Sequence, residues 1–396
     1  MDAGTAELTG DVIVIGAGPA GLAAGYYLER AGIDYLIVER TDQIGSTWAG
    51  LYPTLRLNTA SFVSHLPGRR IPLRYGIYML GRDFYAYLVE YARQYPLKIR
   101  FRVEVTRVTP RADGWWVETN VGARWYPCVI VASGRFSKPY LPDLPGMATF
   151  DGQILHARDY HGPEPFAGQR VLVAGSGPSG TDIAVELQHT AARPVLLSVR
   201  SDIVIARRYP YGLPDTAWQL LARMFLPRRW RKPVLDRIVY QGYHDAADLG
   251  LKLAPNRTDR RGTSAPVRGR ALIDAIHSGA VRPVAGIAAF GTSRCVELLD
   301  GSRVEADVVI LSTGYRPAID YLDFDYETDI DGWPVRISSA IEGGWTEVKD
   351  HPGLYLVGRY YRGLGPLNNI RNEARTAVRE IRNRLTRLTP VRSGAP

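Results

Sequence analysis

The pattern Gly-x-Gly-x-x-Gly occurs twice in this chain, each time between an apolar run and a helical pattern, and this repetition constrains the fold more than any other feature. The first copy is Gly16, Gly18 and Gly21, after Asp11-Val-Ile-Val-Ile and before a periodic stretch ending at Ala31-Gly32; Tyr35-Leu-Ile-Val-Glu39 follows. The second is Gly175, Gly177 and Gly180, after Arg170-Val-Leu-Val-Ala; Thr181 to Ala192 and then Val195-Leu-Leu-Ser-Val-Arg200 follow. Continuous apolar runs mark strands buried on both faces. Each copy therefore reads as strand, glycine turn, helix, parallel strand. The first glycine makes the tight turn, the second lets the backbone approach a pyrophosphate, and the third lets helix and strand pack closely. The helix that follows, opened in the first copy by Pro19 and Ala20, offers free N–H groups and the positive end of its dipole. Two such units in 396 residues, too long for one ordinary core, predict an α/β protein with two Rossmann-like dinucleotide-binding domains.

The copies differ where the second strand ends. Glu39, with Arg40 beside it, can accept hydrogen bonds from ribose hydroxyls of an adenosine. Its counterpart is Arg200, followed by Ser201. A carboxylate would repel a 2′-phosphate, whereas a guanidinium can pair with it bidentately, so the second site is expected to prefer NADPH; the alternative is an Arg200 solvated at a strand end. Arg207 and Arg208 can add to the phosphate attraction. Ser176 and Ser179 lie inside the second loop, where their hydroxyls either reach phosphates or cap the helix.

Composition narrows the class. Hydrophobic residues make up 45% and charged residues 22%, as in an ordinary soluble enzyme. The net charge is +9, and only five of the 49 basic residues are lysine. The excess is spread along the chain apart from Arg228-Arg229-Trp230-Arg231-Lys232, with no zinc-finger or RNA-binding signature, so no nucleic-acid partner is expected. The two cysteines, Cys128 and Cys295, form no C-x-x-C pair, which leaves no metal knuckle and no dithiol redox centre and suits a reduced, cytoplasmic setting. Apolar runs are too short for a transmembrane span, and the start carries no basic leader.

Beyond these patterns, local motifs make the chain resemble the class B flavoprotein monooxygenases, nearest to the flavin-containing and plant auxin-synthesis types, over nearly its whole length. Gly45-Ser-Thr47-Trp48 resembles the family turn under the flavin. Tyr52-Pro-Thr-Leu-Arg-Leu57-Asn58-Thr-Ala-Ser61 resembles the segment beside the isoalloxazine, where Asn58 matches an asparagine supporting the oxygenated flavin; alternatively Asn58 forms a turn with its own backbone. Phe150-x-Gly152-x-x-x-His156-x-x-x-Tyr160 follows the inter-domain fingerprint in its Tyr version, followed here by His161. The Baeyer–Villiger branch normally has Trp at that last place, so the departure argues against a typical ketone oxidiser. His156 either holds the linker and touches the nicotinamide cofactor, or is a satisfied structural histidine. Ser312-Thr313-Gly314-Tyr315 resembles the A-T-G-Y motif, and Pro352 to Gly358 the last flavin-side strand, followed by the loop around Gly365.

The resemblance implies FAD and NADPH as cofactors, an NADPH domain inserted in the FAD domain, and no metal. The expected boundaries are 1–150 and 315–396 for FAD and 151–314 for NADPH, with an irregular basic substrate-access insertion at about 205–270. It implies a monooxygenase that delivers one atom of O2, through a flavin hydroperoxide, to nitrogen or sulfur of a small molecule. Alternatives are a flavin reductase or oxidase, or a Baeyer–Villiger or oxidative-decarboxylation enzyme of the same class. Asn58 is the candidate catalytic residue; Val105, on a hairpin predicted from Val103 to Val108 and Trp115 to Thr119 around Ala112-Asp113-Gly114, joins the flavin-binding set; and a homodimer is expected from family habit. The segment Trp218 to Val239 mixes Leu, Phe, Met and Arg at helical spacing and reads as a surface helix, with a membrane-surface or substrate-mouth role as the alternative.

Overall fold

The computed structural model describes residues 8–240, 249, 251, 266–337, 346–359 and 364–388. The first predicted unit is formed by β1 (Val12–Ile15), α1 (Pro19–Arg30) and β2 (Tyr35–Glu39), and the second by β3 (Val171–Ala174), α2 (Pro178–Leu187) and β4 (Val195–Val199). Two further helices, α3 (Asp215–Phe225) and α4 (Arg228–Leu235), follow β4, and α5 (Pro366–Leu388) closes the described chain. The apolar runs become strands paired in parallel and buried throughout except at half-buried Val199, Val12 beside both Tyr35 and Cys128, and Leu172 beside Leu196 and Val309.

By their contacts the residues fall into two compact units: 1–49, 59–138 and 316–396, and 50–58 with 139–315. The first holds a six-stranded sheet in the order Glu347–Val348, His351–Leu356, Cys128–Val131, β1, β2, Ile99–Phe101. One face of that sheet is covered by α1 and α5. The other carries the three-stranded meander Val105–Arg111, Gly114–Thr119 and Gly122–Tyr126, whose Trp115 and Val117 join Ile13, Val129 and Leu354 in one core. The predicted hairpin is thus present, extended by a third strand, with its turn at Asp113 (φ 56°).

The second unit has a five-stranded parallel sheet in the order Val281–Ala285, β4, β3, Val308–Leu311, Gln153–His156. A smaller antiparallel sheet, Ile287–Phe290, Cys295–Leu298 and Arg303–Glu305, packs Phe290 and Val296 against Leu172 and Val309.

Two boundaries differ from the sequence expectation. The first unit ends at Lys138, not at 150, and residues 50–58 leave it to pack with the second. The reason is aromatic burial: Tyr52 is only 5% exposed and meets fully buried Tyr160 edge to face, 5.8 Å between ring centroids. The stretch from 205, expected to be irregular apart from a surface helix over Trp218 to Val239, holds α3 and α4; residues 241–248, 250 and 252–265 of that insertion lie outside the described set.

Candidate functional site: two dinucleotide cradles

In the first unit the three glycines answer three different demands. Gly16 has φ 108°, and a Cβ there would sit 2.7 Å from the Ala132 carbonyl oxygen. Gly21 would place a Cβ 1.9 Å from the Gly16 oxygen, so only hydrogen lets α1 pack this close to the turn. Gly18 is unlike both: its backbone is extended, and a Cβ would meet no atom within 4 Å. Gly18 also caps α1 without any side-chain hydrogen bond, and Pro19 holds the first position. The N-terminus of α1 thus has no side-chain cap and open space beside Gly18, which fits a pyrophosphate.

Glu39 braces this loop. Its Oε2 accepts from Ala17 N at 2.9 Å, and its Oε1 accepts from Thr41 N at 3.1 Å and Thr41 Oγ1 at 2.9 Å. A carboxylate has about four acceptor sites, so roughly one is left for a ribose hydroxyl. Arg40 beside it is exposed. Gly45 (φ 57°) donates to the Ala17 oxygen at 3.1 Å and so brings the turn Ser46–Ala49, with Thr47 and Trp48, to the loop. Trp48 is fixed edge-on against Phe84, 4.5 Å between centroids. Val105 is buried at the head of the meander, two residues after Val103 N donates to the Glu39 carbonyl.

The far end of the chain completes the cradle. Gly358 (φ 92°) donates to Glu373 on α5 at 2.7 Å and lies so near Ala20 that a Cβ would be 3.0 Å from the Ala20 Cβ. Buried Glu373 is paired with Arg336 at 3.0 Å, and desolvation still raises its pKa. Gly365 (φ 107°) would place a Cβ 2.2 Å from Thr59 Cγ2.

The second cradle repeats the first. Gly175 has φ 117° and would clash with the Ser312 carbonyl at 2.4 Å; Gly180 would meet the Gly175 oxygen at 1.9 Å; Gly177 again has nothing within 4 Å and caps α2 without a side-chain bond. Because Gly177 is the cap, neither Ser176 nor Ser179 serves that purpose, and the Ser179 hydroxyl bonds Tyr52 instead. Arg200 and Ser201 are exposed just beyond β4, and no carboxylate among the described residues pairs with Arg200. Arg208, by contrast, is close enough to Asp182 to oppose the rise in its pKa.

Three of the expected site residues have partners inside the second unit. Tyr160 is fully buried, and its hydroxyl donates to Glu186 Oε2 at 3.1 Å. His156 is 3% exposed, with Nδ1 accepting from Arg158 N at 3.0 Å and Nε2 3.1 Å from the Gly314 oxygen. Those partners select the neutral Nε2–H form, and burial lowers the pKa in the same direction. Both nitrogens are engaged inside the unit, so His156 holds the Gly314 turn. Thr313 points its hydroxyl at the Tyr140 carbonyl, and Tyr140 N donates to Gly314 at 2.9 Å, so this motif is a clamp within the second unit.

Asp182 and Glu186, one turn apart on α2, carry a cluster that the motif reading missed. Glu186 Oε2 accepts from Tyr160 and also from Thr54 at 2.9 Å, tying residues 50–58 to the helix. Asp182 stands in a recess: protein atoms crowd it, yet its side chain reaches solvent. Desolvation, followed by the charge of Glu186, pushes its pKa up to about 6. The signal was present as two acids at i, i+4 directly after the glycine loop. At the end of the same segment Leu57 is buried and Asn58 half-buried.

Two parallel-sheet units with matched glycine cradles define a two-dinucleotide oxidoreductase. Residues 9–329 match the model of the flavin-binding monooxygenase-like family. The chain is 32% identical to a probable indole-3-pyruvate monooxygenase, YUCCA1, of Arabidopsis thaliana, covering 89% of this chain and 85% of that protein. It is 29% identical to the indole-3-pyruvate monooxygenase YUCCA4 of Oryza sativa subsp. japonica, over 94% of this chain and 87% of that one. Among solved structures, a mutant flavin monooxygenase from Stenotrophomonas maltophilia superposes with a TM-score of 0.71 at 25% identity, covering 94% and 98% of the two chains. A cyclohexanone monooxygenase from Rhodococcus sp. Phi1, at 20% identity and a TM-score of 0.67 over 95% and 85%, shares the fold.

This chain belongs to the flavin-binding monooxygenase-like family. It is an NADPH-dependent flavoprotein monooxygenase, with FAD and NADPH as cofactors, that transfers oxygen from O2 to a small molecule. Among the described residues no cluster of His, Cys, Asp or Glu could hold a metal ion, and no helix is long and apolar enough to cross a membrane.

Proposed function

We propose that the first cradle holds FAD, that the second holds NADPH with Arg200 on its 2′-phosphate, and that oxygen is delivered to a nitrogen or sulfur centre. The observation that carries the cofactor assignment is the contrast at the two strand ends: a braced carboxylate at Glu39 and an exposed, carboxylate-free guanidinium at Arg200. Bound FAD would supply the redox chemistry, as hydride acceptor from NADPH and activator of O2. The chain's own work is positional. The open N-termini of α1 and α2 bind pyrophosphate, and Glu39 orients a ribose. His156 keeps its proton on Nε2 and fixes the Gly314 turn. The Glu186 cluster holds the segment that ends in Asn58, whose amide is the proposed donor beside the reacting oxygen.

The nitrogen or sulfur reading rests on Tyr160-His161, which departs from the Trp-bearing fingerprint of ketone oxidisers. A second reading, oxidation of an α-keto acid, draws on the names of the plant relatives. Purified enzyme given NADPH and O2 separates them: a thioether and a tertiary amine yielding sulfoxide and N-oxide support the first. Indole-3-pyruvate yielding carbon dioxide and the acid one carbon shorter supports the second. Peroxide equal to NADPH consumed with every substrate would leave an oxidase.

A further inference from the structure

Helix α3 is built inside out. Its inward face carries Asp215, fully buried in an ion pair with Arg268, together with Thr216 and Ala222. Its outward face carries Leu221, Met224 and Phe225 at i, i+3 and i+4, with Met224 73% and Phe225 71% exposed. A helix of a water-surrounded globule shows the opposite polarity. The next helix continues the pattern. Arg231 donates to the Leu226 carbonyl at 3.0 Å and the Arg223 carbonyl at 3.1 Å, which clamps the first turn of α4 against the last turn of α3. On that clamped turn Trp230 is 53% exposed, flanked by exposed Arg228 and Arg229, which have no carboxylate partner among the described residues. Lys232 is exposed as well and pairs with Asp236 at 3.0 Å.

We infer that the α3–α4 corner is a docking surface for an anionic lipid bilayer, into whose interface Met224, Phe225 and Trp230 insert while Arg228 and Arg229 meet headgroup phosphates. The buried Asp215–Arg268 pair is what makes the inverted helix tolerable, since it anchors the polar face in the protein and leaves the apolar face for another medium. Charge separates this occupant from a second copy of the chain: a two-fold interface sets the same patch against itself and would oppose two Arg pairs to each other. Basic residues bordering exposed aromatic and aliphatic side chains on a short helix are what interfacial anchoring requires. The α-helices need not span anything, so this is consistent with the lack of a spanning helix among the described residues.

The test is co-sedimentation of the FAD-loaded full chain with vesicles of phosphatidylcholine alone and of equal phosphatidylglycerol and phosphatidylcholine. The protein is expected to pellet with the anionic vesicles only, and to be released by high salt. Met224→Asp with Phe225→Asp should abolish pelleting. Arg228→Glu with Arg229→Glu should weaken it by roughly tenfold or more, at about a few-fold for each arginine whose attraction to the headgroups is reversed. Flavin absorbance and melting temperature report on folding; if the aspartate pair lowers either, the exposed arginine pair carries the test alone. No pelleting with either vesicle, or pelleting unchanged by the arginine pair, overturns the inference. A lipid-free dimer that the aspartate pair dissociates, without vesicle binding, assigns the surface to a second copy instead.

Discussion

The two glycine cradles have the same backbone and opposite electrostatics. Each has one glycine at a left-handed turn, one glycine over open space and one glycine packed so closely that no side chain could enter. The end of the second strand is where they part. In the first cradle Glu39 is buried and three of its acceptor sites are used to hold the loop. In the second, Arg200 is exposed. The bracing acids there, Asp182 and Glu186, sit on the helix and hold residues 50–58. On the proposed assignment, the backbone decides that a dinucleotide binds, and the side chain at one strand end decides which.

The largest effect should come from breaking the cradle without breaking the fold. Gly18→Val adds a side chain into empty space in extended backbone, so the protein should fold and lack FAD, seen as lost flavin absorbance with normal circular dichroism. Retained flavin would remove Gly18 from the site. Gly21→Ala makes the complementary point: its 1.9 Å approach to the Gly16 oxygen should cost about 3 kcal/mol or more of stability, measured by denaturant unfolding.

Next in size, Arg200→Ala should raise the KM for NADPH by roughly 10- to 100-fold, as expected for removal of a charge-assisted bond of about 1.5–3 kcal/mol, with little change for NADH. Equal effects on both would return Arg200 to the solvated surface. Asn58→Ala should leave the anaerobic rate of flavin reduction by NADPH within about twofold while raising peroxide released per NADPH by about tenfold, a loss of one donor's stabilisation. Unchanged coupling would end its catalytic candidacy.

The smallest effect concerns Asp182. Its folded pKa is raised to about 6 from the ordinary carboxyl value of 3.8, so the protonated form is favoured by the fold. That contribution is fully present below pH ~4 and is lost as pH rises through about 6. Asp182→Asn should therefore be more stable than wild type at pH 8, by at most about 1 kcal/mol because the side chain reaches solvent, with the gap closing at pH 4. A gap that widens toward low pH would contradict a raised Asp182 pKa.

Sequence reading went furthest where one residue type has one cause. Glycines 16, 21, 175 and 180 are forced by sterics that strand and helix periodicity already imply. It went less far where a side chain's role depends on partners distant in the chain. Tyr160 matched a cofactor fingerprint, and its burial against Tyr52 and Phe166 was not legible from that match. That Gly314 and Arg158 engage both nitrogens of His156 was likewise not legible in its motif. Residues 50–58 carry no local sign that they pack with the second unit. In the region after β4 the helical spacing of Trp218 to Val239 was legible and corresponds to α3 and α4, whereas their orientation was not, because α3 points its apolar stripe away from the core and so its periodicity marks no buried face.

The central claim is that the two cradles serve different dinucleotides, and Gly177→Val tests it most directly. The substitution fills the open space over α2 and leaves the first cradle untouched. Anaerobic mixing of the purified variant with NADPH, followed by flavin absorbance, should show a full complement of FAD that NADPH reduces at least about tenfold more slowly than in wild type. Loss of FAD with reduction of any residual flavin at the wild-type rate would contradict the assignment.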